Sequence, residues 1–449
     1  MTKSCRPLLA ALLFAAAAFP SRAAAQVLRF DTAELTLLAN AVYDARGGAP
    51  NPFDVTLTAT VTAPSGRILA VDGFFDGDGA GAAVGRAWKV RIFADEPGTW
   101  TWRTTSSLPE LAGKSGSFPC QGTLGGVFAA GPVVVLPSRP RSFSYRNAGA
   151  VYLLGKFLDV AAPARLRFSH TLLSEQLTDA DRQAMLDRHR GMSLNKMNVY
   201  LANRGDYGGV ATTPWVGTAA ANDKRRFDLA RWQTYDRWVR RLRDAGLVAQ
   251  LWFFADDSGF GDLPEADRER LIRYGMARLS GYANTFFTLA LEWQEGWSAA
   301  EVATGAGQIH RWNPWDRLVS VHGLTGDFSF PTALWADYLD LQAGNDAGHA
   351  TVHAAGLRNR ALAVKPLIQE EHGMGEEDQA NRQKAWAAFM AGAAGSGTGA
   401  FLKHLAAFVA TVPFDRMQPS GALVLSGSAY VLAEAGQVYA AYLPGGGTV

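Results

Sequence analysis

Val248-Ala249-Gln250-Leu251-Trp252-Phe253-Phe254, and beyond one helical stretch Phe286-Phe287-Thr288-Leu289-Ala290-Leu291, decide the fold. Each is a short, almost wholly apolar run, as expected of a strand buried on both faces between layers of helix. The stretch between them opens a helix with Pro264 in its first turn. The alternation continues upstream. Tyr152-Leu153-Leu154 reads as a strand, and Thr178 with Asp181 as an acidic capping box. Residues 197–201 read as the next strand. Asp228 caps a helix that sets Leu229, Trp232, Tyr235, Val239 and Leu242 on one face, and Gly246 ends it. Downstream come a helix capped by Ser298 and Glu301 and strands at 318–321, 338–341, 366–369 and 399–402. Eight alternating units over residues 146–420 predict a (β/α)8 TIM barrel. A doubly wound open sheet is the runner-up, disfavoured because no Gly-rich phosphate loop follows the first strand.

The flanks read differently. Lys3 and Arg6, an apolar run at 8–19 and Ala23-Ala24-Ala25 predict a secretory signal peptide over residues 1–25, with a secreted or periplasmic destination. The apolar run is too short to span a bilayer comfortably, so no membrane association is expected once the signal is removed. Residues 26–122 alternate apolar and polar positions between turns, as in Val55-Thr56-Leu57-Thr58-Ala59-Thr60-Val61 and Trp88-Lys89-Val90-Arg91-Ile92-Phe93. They predict a β-sandwich whose core includes Trp88, Trp100 and Phe93. Residues 123–145, punctuated by Gly and Pro, read as a linker with one edge strand at 133–136. Residues 421–449 read as the start of a small C-terminal β region, with a hairpin over 430–443.

Composition limits the function. Losing Lys3, Arg6 and Arg22 with the signal takes the formal charge from +2 to −1, which gives no footprint for a nucleic-acid partner. Cys120 is left as the single thiol, so no internal disulfide can brace the fold.

The N-terminal stretch resembles the family catalogued as domain of unknown function 5060. The residues that carry the likeness are Asn51-Pro52-Phe53-Asp54-Val55, Gly73-Phe74-Phe75-Asp76-Gly77-Asp78-Gly79, Trp88-Lys89-Val90-Arg91 and Pro97-Gly98-Thr99-Trp100. This resemblance implies an immunoglobulin-like domain placed before a sugar-cleaving barrel. The remainder resembles apiosidase-like barrels of glycoside hydrolase clan A. It does so through Lys365-Pro366-Leu367-Ile368-Gln369-Glu370-Glu371-His372-Gly373 and Trp386-Ala387-Ala388-Phe389-Met390-Ala391-Gly392-Ala393-Ala394-Gly395.

Glycoside hydrolysis needs a proton donor at the leaving oxygen and a second carboxylate for the anomeric carbon. Barrel enzymes set such groups at the C-terminal ends of strands. Glu292 follows the fourth strand by count, and Glu371 the seventh. Clan A resemblance implies that Glu292 is the acid/base and Glu371 the nucleophile. Glu295 and Glu370 are their neighbours and rivals. Alternation along a strand favours Glu292, with Thr288 and Ala290 inward and Phe287, Leu289 and Leu291 toward the helices. It also favours Glu371, with Gln369 inward and Ile368 outward, because choosing Glu370 would drive Gln369 into the apolar helix layer. Clan members commonly carry Asn before the strand 4 glutamate, where this chain has Leu291.

Other residues at strand ends are candidates for binding sugar hydroxyls: Asn203, Asp206, Asp256, His322, Gln342, His372 and Lys403, with Asp257 and His404 beside them. Each is equally at home as an ordinary loop residue. Trp293 and Trp297 would be either sugar platforms or packing beneath the loops. His349 and His353 have metal-pair spacing but lack the following Glu of a metalloprotease, so a solvated helix face is expected. Asp76-Gly77-Asp78-Gly79 reads as a tight turn rather than a calcium loop. The expected function is an exported retaining glycoside hydrolase with a carbohydrate substrate and neither metal nor organic cofactor. The alternative is a non-catalytic carbohydrate-binding protein on a degenerate barrel.

Overall fold

The computed structural model describes residues 26–205, 210–255, 260, 263–344, 347–373 and 376–446. The expected signal, Asp206, Asp256 and Asp257 lie outside the described residues. The chain combines an N-terminal β-rich part with an α/β part.

Seven strands make the N-terminal part. The strand Ile68–Phe75 pairs with Leu57–Thr62 along its first half and with Val84–Phe93 from Gly73 onward. A Cβ on Gly73 would stand 2.5 Å from Leu57 Cδ2 and 2.8 Å from the Lys89 carbonyl oxygen, so only glycine fits where the strand changes partner. Trp88, Trp100 and Phe93 are completely buried. Cys120 is buried with a free thiol.

In the α/β part the parallel strands are β1 (Leu153–Leu154), β2 (Lys196–Tyr200), β3 (Val248–Phe254), β4 (Thr285–Ala290), β5 (Val319–Ser320), β6 (Leu339–Gln342), β7 (Leu367–Glu371) and β8 (Gly395–Ser396). They form two four-stranded sheets, in the orders β1-β8-β7-β6 and β2-β3-β4-β5. A parallel bridge between His322 and Asp340 links β5 to β6. Asn195 links β1 to β2: its N–H donates to the Leu154 carbonyl at 3.1 Å, and its Oδ1 accepts from the Leu154 N–H at 2.7 Å. The helices are α1 (Asp179–Gly191), α2 (Leu229–Asp244), α3 (Glu265–Leu279), α4 (Ala299–Arg311), α5 (His349–Leu362), α6 (Gln379–Met390) and α7 (Leu402–Val409). Capping boxes at Thr178/Asp181 and Ser298/Glu301 open α1 and α4. Each such N-cap stabilises by about 0.5–2 kcal/mol.

Three expectations are corrected. The eighth strand lies at 395–396, not 399–402. Gly399 and Phe401 have φ of +136° and +52°, which breaks a strand, and α7 begins at Leu402. No helix follows β5, because residues 321–338 are loop and turn. The linker holds more than the one edge strand expected: Val133–Val135 lies where that strand was placed and pairs with Phe143–Tyr145, to which Ala150–Val151 adds. Buried Phe143 meets Tyr338 edge-on at 5.9 Å, so this small sheet packs onto the start of β6.

The β part and the α/β part share one continuous apolar core. Charge closes their junction. Arg278, on α3, pairs with Asp76 and Asp236, each at 2.7 Å, and Arg91 reaches Asp236 at 2.6 Å. Lys89 joins Asp76 to Glu34. Asp76 is thus an ion-pair partner, while Asp78 Oδ1 accepts from the Ala80 and Ala82 N–H groups and makes the turn. At the other end, Tyr430–Glu434 and Val438–Tyr442 form a hairpin that packs on α5 and α6. Tyr430 stacks on His353 at 3.9 Å and its hydroxyl meets His349 Nδ1 at 2.7 Å. The expected solvated face of α5 is corrected: these histidines grip the C-terminal hairpin.

Candidate functional site

On β4 the alternation is as the sequence predicts up to Ala290. Thr288 Oγ1 meets Gln250 Nε2 and the Tyr338 hydroxyl, each at 2.9 Å, among the inward groups. Phe287 stacks on Phe253, and Leu289 faces Gly305 of α4. Leu291 departs from the expectation. It clusters with Tyr200, Trp252 and Ala255 instead of meeting the helix layer. Lys196, Asn198 and Gln250 all bond inward, so strand parity turns Tyr200 and Trp252 inward as well.

Glu292 then takes φ +43° and ψ 49°, a left-handed backbone that costs an L-residue roughly 1–2 kcal/mol. Its N–H points at His322 Nδ1 at 3.4 Å. His322 is completely buried. Desolvation first, then the Lys196 charge, lower its pKa to about 3, so the ring is neutral.

On β7 the inference from alternation fails. Gln369 Nε2 donates to the Val352 carbonyl of α5 at 3.1 Å, so Gln369 faces the helices. Glu370 faces inward, completely buried, with Lys196 Nζ at 2.7 and 2.9 Å from its two oxygens. Lys196 also bonds Asn198 Oδ1 and Gln250 Oε1. Leu341 pairs with Gln369 and Gln342 with Glu371, which makes Glu370 the extra residue of a β-bulge. A bulge re-aims the side chain that follows it. Here it lets neighbouring glutamates face the same side, Glu370 beneath and Glu371 at the strand end. Burial first, then the Glu370 carboxylate, hold the nearby Asp340 carboxyl well above the usual range.

Gln342 brings the two ends together. Its Nε2 donates to Glu292 Oε1 at 2.7 Å and to Glu371 Oε2 at 2.6 Å. Those oxygens can be no farther apart than the two distances laid end to end. That limit falls in the roughly 5–5.5 Å range of a carboxyl pair that works with one group as nucleophile. The Gln342 carbonyl oxygen accepts from Thr325 Oγ1 at 3.0 Å. Glu371 is nearly buried and Glu292 partly exposed, so the pair opens to solvent on the Glu292 side.

The remaining candidates are scattered. His372 is buried, its Nε2 2.9 Å from Ser396 Oγ, and desolvation lowers its pKa to about 3. Asn203 serves its own loop, donating to the Val210 carbonyl and accepting from the Gly205 N–H. Trp297 is buried between Phe254 and Arg268, and Trp293 packs on Phe330. Both rings thus make packing contacts beneath the loops. Lys403 and His404 are exposed on α7 and do not end a strand, and Lys403 lines a surface depression with Arg188, Glu377 and Phe401. Glu295 is exposed. Among the described residues no group of three or more His, Cys, Asp or Glu is placed to hold a metal, and no helix is long and apolar enough to cross a membrane. Sequence reasoning missed Thr325, which carries no local signal, and Lys196. The alternation Lys196-Met197-Asn198-Val199-Tyr200 does mark Lys196 as sharing a face with Asn198.

Residues 26–107 match the family model described as Domain of unknown function (DUF5060). No curated protein matches the chain in sequence. Among solved structures, the chain is similar to a protein from Bacteroides vulgatus provisionally named a glycoside hydrolase. Identity is 18%, over 91% of this chain and 84% of that one, with a TM-score of 0.72. A glycoside hydrolase of family 5, also from Bacteroides vulgatus, gives 16% identity over 68% of this chain and 78% of its own, at 0.53. A third structure, named simply glycoside hydrolase, gives 17% over 68% and 82%, also at 0.53. At such identities the likeness is one of fold, and the chain has a glycoside-hydrolase-like fold.

Proposed function

We propose that this protein is a retaining glycoside hydrolase acting on an oligo- or polysaccharide outside the cytoplasm, with an immunoglobulin-like sandwich packed against a (β/α)8 barrel. The observation that supports the reading is the shared Gln342 nitrogen, which bonds one oxygen of Glu292 and one of Glu371, so those two oxygens lie within the reach expected of a nucleophile and an acid/base. Glu371 attacks the anomeric carbon and forms an ester as the glycosidic C–O bond breaks. Glu292 gives its proton to the leaving oxygen. Glu292 then takes a proton from water, the water oxygen bonds to the anomeric carbon, and the ester breaks. Charge on both steps stays within the carboxyl pair and the sugar, so the scheme calls for no cofactor. The export signal expected at residues 1–25 supports the location.

A second reading, a carbohydrate-binding protein without turnover, is favoured by Leu291 in its apolar cluster with Tyr200 and Trp252. A glycan panel separates the two. The hydrolase reading predicts release of reducing ends from at least one glycan. Glu371→Gln lowers turnover by on the order of 10⁴-fold or more, the scale of losing a nucleophile, with ligand affinity largely kept. Glu292→Gln hurts substrates with poor leaving groups most, and azide partly restores turnover of an activated glycoside. Binding without cleavage across the panel, or full activity in Glu371→Gln, contradicts this reading.

A further inference from the structure

The Gln342 amide uses all of its groups. One nitrogen spans two carboxylates, and the carbonyl oxygen is held by Thr325 from the helix-free loop after β5. Gly344, two residues beyond Gln342, has φ +91°, and a Cβ there would stand 3.4 Å from Thr325 Oγ1. The loop and the end of β6 thus meet closely at this hydroxyl.

Two like charges at this spacing repel, which favours protonating one of them. An amide that donates one hydrogen to each lowers the cost of ionising Glu371 while Glu292 keeps its proton. A flipped amide would aim its oxygen at both carboxylates, so the orientation with nitrogen inward is the one the charges select. We propose that Gln342 and Thr325 form a positioning pair that fixes the separation of Glu292 and Glu371 and sets the pH range over which the two titrate. This inference rests on the hydrolase reading for its catalytic meaning, but not for its physical content.

Other charged or titratable groups face the site. Lys196 and Glu370 lie beneath it as an ion pair, with Asp340 beside them. His322 sits under Glu292 and His372 follows Glu371, both buried neutral, with Lys384 acting on His372. Glu295 stands on the solvent side. Gln342 is the group whose hydrogens reach both carboxylates.

The test is a carboxyl ¹³C NMR titration of glutamate-labelled full-length protein, assigned with Glu292→Gln and Glu371→Gln, alongside the pH dependence of kcat/KM. In Gln342→Met the pair should titrate about one pH unit or more higher, since the donors to the charged form are gone. The acidic limb of kcat/KM should move up with it, and the rate below neutrality should fall roughly 10–100-fold. Thr325→Val should shift the same way by less, and Thr325→Ser should match wild type. Thermal melts check folding. If Gln342→Met does not fold, Thr325→Val reads the same quantity from the loop. An unchanged titration in both Gln342→Met and Thr325→Val overturns the proposal. So does a uniform rate loss with no shift of the limb. If wild type cleaves no glycan yet the titration moves, the inference stands and the hydrolase reading falls. If Glu371→Gln abolishes turnover while the titration stays put, the reverse holds.

Discussion

The junction between the two parts and the strand-end site both gather buried charge, but they treat it in opposite ways. At the junction Lys89, Arg91 and Arg278 meet Glu34, Asp76 and Asp236, three cations against three anions. Burial works against the Asp236 carboxylate, yet Arg278 and Arg91 more than offset it and lower its pKa. At the strand ends two carboxylates are drawn to one neutral amide. Like charges held close cost free energy that direct pairing would relieve, and such arrangements cluster where chemistry is done. Glu370 and Glu371 draw the same line between neighbours. The first is matched by Lys196 and reads as structure, the second faces Glu292 across Gln342.

The largest effect expected from this contrast is on stability. Glu370→Gln leaves Lys196 buried without its carboxylate, and Asp236→Asn leaves Arg91 to Glu34 and Arg278 to Asp76 alone. Each should cost about 3–5 kcal/mol in chemical denaturation. Repair should then separate the regions. Replacing Lys196 and Glu370 together by Met and Leu should restore most of the stability, because a buried ion pair is often no better than apolar packing. It should not restore turnover, because the bulge that aims Glu371 loses its inward anchor. An apolar replacement of Arg278, Asp236 and Arg91 should recover both. Equal recovery of turnover in the two regions would erase the distinction.

A smaller effect should appear with pH. His322, His372 and His189 are buried neutral, desolvation being the first cause in each, with pKa values lowered to about 3, 3 and 4. The unfolded chain takes up those protons near pH 6.5. Their contribution is therefore complete above about pH 6.5 and is lost as pH falls toward 3–4. Asp340, raised, works the other way and loses its contribution as pH rises above the ordinary carboxyl range. Denaturant midpoints at about pH 7 and about pH 5 should show a loss on acidification. His189→Gln with His372→Gln should lessen it, since His322 and the likewise buried His170 remain, and Asp340→Asn should steepen it. The junction pairs should add little over this window, since Asp236 titrates below it.

The smallest effect belongs to the C-terminal hairpin. Tyr430→Phe removes the bond to His349 but keeps the stack on His353. The cost should be about 0.5–1.5 kcal/mol, with catalysis unchanged. A larger loss would mean that the hairpin supports the α/β part more than one hydroxyl suggests.

Much of this was legible in the sequence wherever the signal is local. Apolar runs located seven of the eight parallel strands, and Glu292 and Glu371 stand out because each ends one. The eighth strand was misplaced because Gly395-Ser396-Gly397-Thr398-Gly399 lacks the branched side chains that mark a strand. The bulge at Glu370 was hidden because Lys196, far away in sequence, fixes it. The burial of Lys89 and Arg91 was hidden, since alternation reveals that two faces differ but not what covers the polar one. Thr325 and Tyr430 act through partners that only the fold brings near.

The most direct test of the central claim is to trap the covalent intermediate. Once a cleaved glycan identifies the sugar, the corresponding activated 2-deoxy-2-fluoro glycoside should inactivate the enzyme, and peptide mass spectrometry should find one sugar added at Glu371. Label at Glu370, or an enzyme that turns over this sugar with inversion and takes no label, would contradict the account.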